Sequence, residues 1–334
     1  MTHILHVSNV NYALPEALRL LVRHGVEENS RNGKVLVAPG PVVTEYLAPQ
    51  ERVLFSPARN ANPFFHCMEA LWMLGGRNDL AWPRFFNERF RDYSNDGQTL
   101  PGAYGHRWRA HFERPTEQRS KPLDQFGPLI ALLKRDPETR RAVLTMWDPN
   151  VDFNDGSLDL PCNSHIYFDC RQGQLNMTVC CRSNDAVWGA YGANAVHFSM
   201  LQEYIAAAVG LPMGTYVQFS NNLHVYTDVY DPTDVALQTP DNRYAHGITP
   251  MRMVVDPRQW LEELEWFLTD PLGDTYFCEP FFDMVAAPMY AAWSDHKRGA
   301  SGMASALAIG AADWRVACCE WLQRAEERRR AATA

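Results

Sequence analysis

Cys162 stands in Leu160-Pro161-Cys162-Asn163, and Cys181-Arg182-Ser183-Asn184-Asp185 follows further along the chain. A thiolate is a strong nucleophile, and an arginine binds phosphate while favouring the ionised thiol. Brought together, the two segments would form a covalent site for a phosphorylated substrate. A lone cysteine in a long chain is more often a small buried hydrophobe. The argument therefore rests on the residues that accompany it.

Several elements must position these groups. Leu18, Leu20, Leu21 and Val26 suggest an amphipathic helix over about 15–29. A second helix carries Glu69-Ala70-Leu71-Trp72-Met73-Leu74 and stops at Gly75-Gly76. The stretch 141–147 is rich in strand formers. So are 165–170 and 175–180, which Arg171-Gln172-Gly173-Gln174 joins as a hairpin. Helical periodicity resumes over about 194–209, a strand follows over 215–220, and the last stretch, roughly 303–329, reads as one helix. That helix becomes basic at Arg324 and Arg328-Arg329-Arg330, which suits a solvated helix C-terminus.

Composition narrows the function. The chain has 334 residues, 46% hydrophobic and 21% charged, enough apolar material for a large core. A net charge of −8 argues against broad nucleic-acid or membrane-surface binding. No apolar run approaches membrane-spanning length, and the first residues lack a signal-peptide layout. The eight cysteines include the adjacent pairs Cys180-Cys181 and Cys318-Cys319, so reduced thiols are expected rather than a disulfide framework. CxxC and HExxH spacings are absent, so no metal is expected; Gly-rich phosphate loops are also missing.

From about residue 16 to about 285 the chain resembles the thymidylate synthase superfamily. The resemblance is carried by Pro161-Cys162, Arg182-Ser183-Asn184-Asp185, Trp188-Gly189, Asn194 and Asn222-Leu223-His224-Val225-Tyr226. Ser30-Arg31-Asn32-Gly33 is similar to the family's early phosphate loop, and Met68-Glu69-Ala70-Leu71-Trp72 to its glutamate helix. Leu100-Pro101-Gly102-Ala103-Tyr104-Gly105 resembles the segment that supplies a tyrosine, and Asp136-Pro137-Glu138-Thr139-Arg140-Arg141 the arginine pair that each subunit lends its partner. The resemblance implies an α/β (α+β) fold with a large mixed β-sheet packed with helices, one sheet face lying at a homodimer interface. It also divides the chain into a catalytic domain, 1–285, and a C-terminal helical extension, 286–334, basic at its end. The location implied is the cytoplasm, the host's if the gene is a phage's.

The same resemblance assigns roles. Cys162 would add to C6 of a pyrimidine, Glu69 would move protons through water, and Tyr104 would assist proton removal at C5. Arg31, Arg182 and Ser183, with Arg140 and Arg141 across the interface, would hold the phosphate. Each cation would contribute on the order of 4 kcal/mol of attraction before desolvation. Asn194 would read the base, because an amide offers uracil's O4 and N3–H the complementary donor and acceptor; one extra residue within Gly189–Ala193 precedes it. His224 and Tyr226 would bind the sugar. Asp185, Trp188, Phe90 and Tyr93 would hold 5,10-methylenetetrahydrofolate, the cosubstrate.

Two departures from the pattern bear on the product. Asn163 follows the nucleophile where thymidylate synthases usually carry His, and the chain continues far past the point where they close a short apolar tail over folate. Water exclusion decides whether the C5 methylene receives hydride or water. With Asn163 able to orient water, the leading expectation is a dUMP 5-hydroxymethylase, closest in character to phage-type pyrimidine hydroxymethylases. The alternatives are a thymidylate synthase, a dCMP 5-hydroxymethylase, a silent RNA-binding relative, and a thiol hydrolase using His165 or His197 as its base.

Overall fold

Residues 163–181 fold as the hairpin their alternation predicts. At its tip Gln172 and Gly173 take left-handed backbone angles, φ 54° and 74°. That is the turn geometry whose twist matches the flanking strands. The computed structural model describes residues 2–30, 32–114, 120–153, 156–273 and 276–333. In chain order the strands are β1 (His3–Val7), β2 (Val26–Ser30), β3 (Gly33–Val37), β4 (Val42–Tyr46), β5 (Glu113–Arg114), β6 (Lys121–Pro122), β7 (Val143–Thr145), β8 (Asn163–Arg171), β9 (Gln174–Cys181), β10 (Asn184–Asp185), β11 (Met213–Ser220) and β12 (Leu223–Tyr226). The helices are α1 (Val10–His24), α2 (Pro63–Leu74), α3 (Ala81–Phe86), α4 (Tyr104–Arg109), α5 (Phe126–Arg135), α6 (Asn194–Val209), α7 (Pro257–Thr269), α8 (Ala287–Lys297), α9 (Met303–Leu307) and α10 (Ala312–Thr333).

A six-stranded sheet runs β1-β4-β11-β9-β8-β7, with parallel pairs at β1–β4 and β11–β9 and antiparallel pairs elsewhere. The fold is thus mixed α/β, a large mixed sheet packed against helices. The sheet's inner face carries Ile166 and Phe168 of β8, Leu175, Met177 and Val179 of β9, and Tyr216 of β11, all buried. The helix α6 lies on this face and also packs against α2, α5 and α7. Being covered on all sides, it is apolar nearly all round. Two of its polar residues are tied to their surroundings: Gln202 Nε2 donates to the carbonyls of Leu175 and Thr215, and Glu203 pairs with Arg52. A smaller sheet, β10-β12-β3-β2, stands beside the first.

Three expected boundaries move. The first helix spans Val10–His24, earlier than expected, because the Asn9 side chain accepts the Asn11 N–H as an N-cap. It stops at Gly25, where a Cβ would lie 2.6 Å from Leu36, and the chain turns there into β2. The terminal helix is two, α9 and α10, broken where Gly310 donates its N–H to the Met284 carbonyl. Helices α8–α10 join the main core: Trp293 and Trp321 pack around Phe64 of α2, and Asp313 hydrogen-bonds Tyr244.

Candidate active site

The pairing of β8 with β9 brings the two cysteine motifs together, since Asn163 is in register with Cys181. Cys162 lies half-buried in the bend entering β8. Arg182 closes on the same bend. Its backbone N–H donates to the Cys162 carbonyl (2.9 Å), its Nε to the Pro161 carbonyl (3.0 Å) and its Nη2 to the Leu160 carbonyl (3.4 Å). The Trp147 ring supports the guanidinium at 5.5 Å. Fixed this way yet exposed, Arg182 is preorganised for an anion beside the thiol. Ser183 is half-buried in the turn that follows. Arg31 lies outside the described residues. Arg140 and Arg141 are exposed in the loop before β7, an edge strand of the sheet, with Arg141 3.8 Å from Asp136.

The α2–α6 contact places Glu69, the carboxylate expected to handle protons, against a histidine. Glu69 Oε2 lies 3.0 Å from His197 Nε2, both largely buried. His66, one turn earlier, is held neutral: burial, then Arg59 and His197, keep its pKa well below the usual value. Tyr104 opens α4 and stacks on Phe198 at 6.0 Å. Burial, and then the charges of Cys162, Cys181, Asp159 and Glu69, push its phenol well above the ordinary range, so it keeps its proton at neutral pH. Asn163 is fully buried. Its Oδ1 accepts the Cys181 thiol, while its Nδ2 has no hydrogen-bond partner.

Residues 186–193 form a wide π-helical turn running directly into α6. Such turns accommodate an added residue and recur at functional sites, which accounts for the extra residue before Asn194. Asn194 is buried, with Nδ2 on Asn184 Oδ1 (3.1 Å); Asn184 in turn donates to Ser220 Oγ (3.0 Å). The period of β12 puts His224 and Tyr226 on one face, rings edge to face at 5.2 Å, with Asn222 Oδ1 2.8 Å from His224 Nδ1.

Asp185 caps the wide turn, its Oδ1 accepting the N–H groups of Val187 and Trp188. Oδ2 is buried without a hydrogen-bond partner. Burial raises the Asp185 pKa against the Trp188 N–H, His224 and Arg59. Trp188 and Tyr93 are 41% and 47% exposed, and Phe90 meets the Tyr93 ring at 6.2 Å. The unsatisfied carboxylate oxygen beside open aromatic rings fits a flat heterocycle bearing N–H donors. Among the described residues, no group of three or more His, Cys, Asp or Glu side chains could hold a metal ion.

Arg59, His66 and Asp159 were not singled out in the sequence, and His197 only as the base of a thiol hydrolase. Arg59 is buried, its Nε on the Val187 carbonyl (2.8 Å) and its guanidinium 4.9 Å from the Trp188 ring; burial lowers its pKa. His66 and His197 flank Glu69 on helices where a histidine reads as core. Asp159 lies three positions before the nucleophile and bonds the Gly102 N–H at 2.7 Å. Only its nearness to Cys162 in sequence could have drawn attention to it.

Comparison with known proteins agrees with this geometry. A family profile for thymidylate synthase matches residues 15–249. The chain is 47% identical over 349 aligned positions to a deoxyuridylate hydroxymethyltransferase of Pseudomonas phage M6, covering 98% of this chain and 95% of the relative. A deoxyuridylate hydroxymethyltransferase of Bacillus phage SP01 is 35% identical, covering 72% of this chain and 61% of its own. A thymidylate synthase of Symbiobacterium thermophilum is 30% identical, covering 63% and 73% respectively. The chain belongs to the thymidylate synthase family.

Proposed function

We propose that this member of the thymidylate synthase family is a deoxyuridylate 5-hydroxymethylase: it transfers a one-carbon unit to C5 of dUMP and completes the reaction with water. The observation that carries this reading is the near full-length identity to the phage M6 deoxyuridylate hydroxymethyltransferase. The arrangement of Cys162, Arg182 and Asn194 supports it. Enzymes of the family use 5,10-methylenetetrahydrofolate, and we assign that role here to Asp185, Trp188, Phe90 and Tyr93. When bound, the folate supplies the one-carbon unit.

The chain's own residues do the rest. Arg182 and Ser183, with Arg31, grip the 5′-phosphate. His224 and Tyr226 take the sugar. Asn194 presents its amide to O4 and N3–H, held in place by its contact with Asn184. Cys162 attacks C6, electron density moves to C5, and Glu69, beside His197, manages the proton at O4. Tyr104, kept protonated, assists removal of the C5 proton through its hydroxyl. Cys162 finally leaves C6 as thiolate.

A second copy of the chain completes the phosphate site by lending Arg140 and Arg141. The outer sheet face supports such a homodimer. Ile4, Val143 and Tyr167 are exposed there, and Val43, Val217 and Phe219 are only partly covered. An apolar sheet face of this kind suits an obligate interface. We assign 1–285 to the catalytic body and 286–334 to an extension that buttresses α2, and place the reaction in the host cytoplasm. Purified protein supplied with dUMP and methylenetetrahydrofolate tests the assignment. Hydroxymethyl-dUMP with tetrahydrofolate is expected; thymidylate with dihydrofolate would refute it.

A further inference from the structure

We infer that Asp159 is a second catalytic carboxylate, the base that takes the proton from the water adding to the C5 methylene. The inference rests on the hydroxymethylase reading above.

The geometry carries it. Asp159 precedes Cys162 on the same segment and reaches across to the loop bearing Tyr104, where its Oδ2 accepts the Gly102 N–H at 2.7 Å. The fit is close: a Cβ on Gly102 would lie 2.9 Å from the carboxylate atoms. Among the described residues, no hydrogen-bond donor is attached to Oδ1. The groups facing the carboxyl are Tyr104 and Arg107 from α4, Glu69 from α2, and Asp152 from the loop after β7. Arg107 is already committed, bonded to both oxygens of Asp152 at 2.7 and 3.0 Å in a fully buried pair.

An aspartate serving only as a structural acceptor for an N–H is normally more acidic than usual. Asp159 is the reverse. Burial, with the charges of Glu69 and Asp152, outweighs the Gly102 N–H and Arg107 and pushes it up to about 6. A base in this range is mostly ionised at neutral pH and still accepts a proton readily. Glu69, on α2 and 3.0 Å from His197, is assigned to O4, so the water-adding step has a base of its own in Asp159.

The step balances without a redox partner. After folate departs, Cys162 is bonded to C6 and a methylene is double-bonded to C5. Water oxygen bonds to the methylene carbon while one of its protons passes to Asp159. The displaced electron pair moves through C5 to O4. It then returns to form the C5–C6 double bond as the C6–S bond breaks, and the thiolate leaves. The proton on Asp159 goes to solvent.

Asp159→Asn keeps an acceptor for the Gly102 N–H but removes the base. Two readouts separate chemistry from scaffold: the covalent adduct of Cys162 with 5-fluoro-dUMP and methylenetetrahydrofolate, which needs no hydration, and the rate of hydroxymethyl-dUMP formation. The expected result is an adduct formed at near wild-type rate and product formation lowered roughly 10²- to 10⁴-fold. The wild-type rise in product rate with pH through about 6 should vanish in the variant. Gly102→Ala, which displaces the carboxylate, should show the same split. An unimpaired Asp159→Asn beside a wild type making hydroxymethyl-dUMP would refute the role of Asp159 alone. Parallel loss of adduct and product in both variants would make Asp159 scaffold and overturn the inference. A wild type that yields thymidylate would sink both readings.

Discussion

Asn194 shows how much a residue's role depends on what holds it. Its amide matches uracil only if Nδ2 and Oδ1 face the right ring atoms, and Asn184, itself bonded to Ser220, holds that amide in place. Asn194→Asp replaces a donor with an acceptor against O4. We expect kcat/KM for dUMP to fall roughly 10²-fold, the scale of one buried unsatisfied contact, and dCMP turnover to appear; steady-state kinetics with each nucleotide checks this. The motifs that carry Cys162, Glu69 and Tyr104 could be picked out in the sequence by residue type and order. The surroundings of His197 and Asp159 could not. Their meaning comes from a 3.0 Å approach to Glu69 and a hydrogen bond to Gly102, and neither contact leaves a local pattern in sequence.

At the scale of elements, the candidate site is an effect of close packing between helices: Glu69 stands on α2, Tyr104 on α4 and Asn194 on α6. Tyr104 reaches the cleft because α4 presses directly on α2: a Cβ on Gly105 would lie 1.9 Å from the Met73 carbonyl oxygen. Gly105→Ala must therefore wedge the helices apart. We expect a loss of about 3 kcal/mol in stability by denaturant titration, with kcat reduced more than KM rises, since Tyr104 moves away from C5. The β8–β9 hairpin could be read from sequence because burial of one face dictates its period, and α6 because its apolar run is too long for a strand. The shift of the first helix and the break before α10 could not. They depend on an Asn9 cap, on Leu36 arriving across the sheet, and on the Met284 carbonyl meeting Gly310. The wide turn at 186–193 was visible only as one residue too many.

For the whole molecule, the extension is part of the core. Trp293 and Trp321 close on Phe64, and Arg324 donates to Asn60 Oδ1 at 3.0 Å, next to Arg59 and its Trp188 contact. Packed in this way, α10 braces α2 from behind. The shared-site dimer makes a separate prediction. Arg140→Ala and Cys162→Ala proteins, each inactive alone, should regain part of wild-type activity once mixed and exchanged, because one hybrid site then has both an intact thiol and intact arginines. No recovery after verified exchange would contradict the lending of Arg140. The central claim, covalent one-carbon transfer finished by water, is tested most directly by running the reaction in water enriched in heavy oxygen and weighing the nucleotide. The account predicts hydroxymethyl-dUMP carrying one heavy oxygen on the new carbon, with tetrahydrofolate released. Thymidylate without the label, accompanied by dihydrofolate, would contradict it.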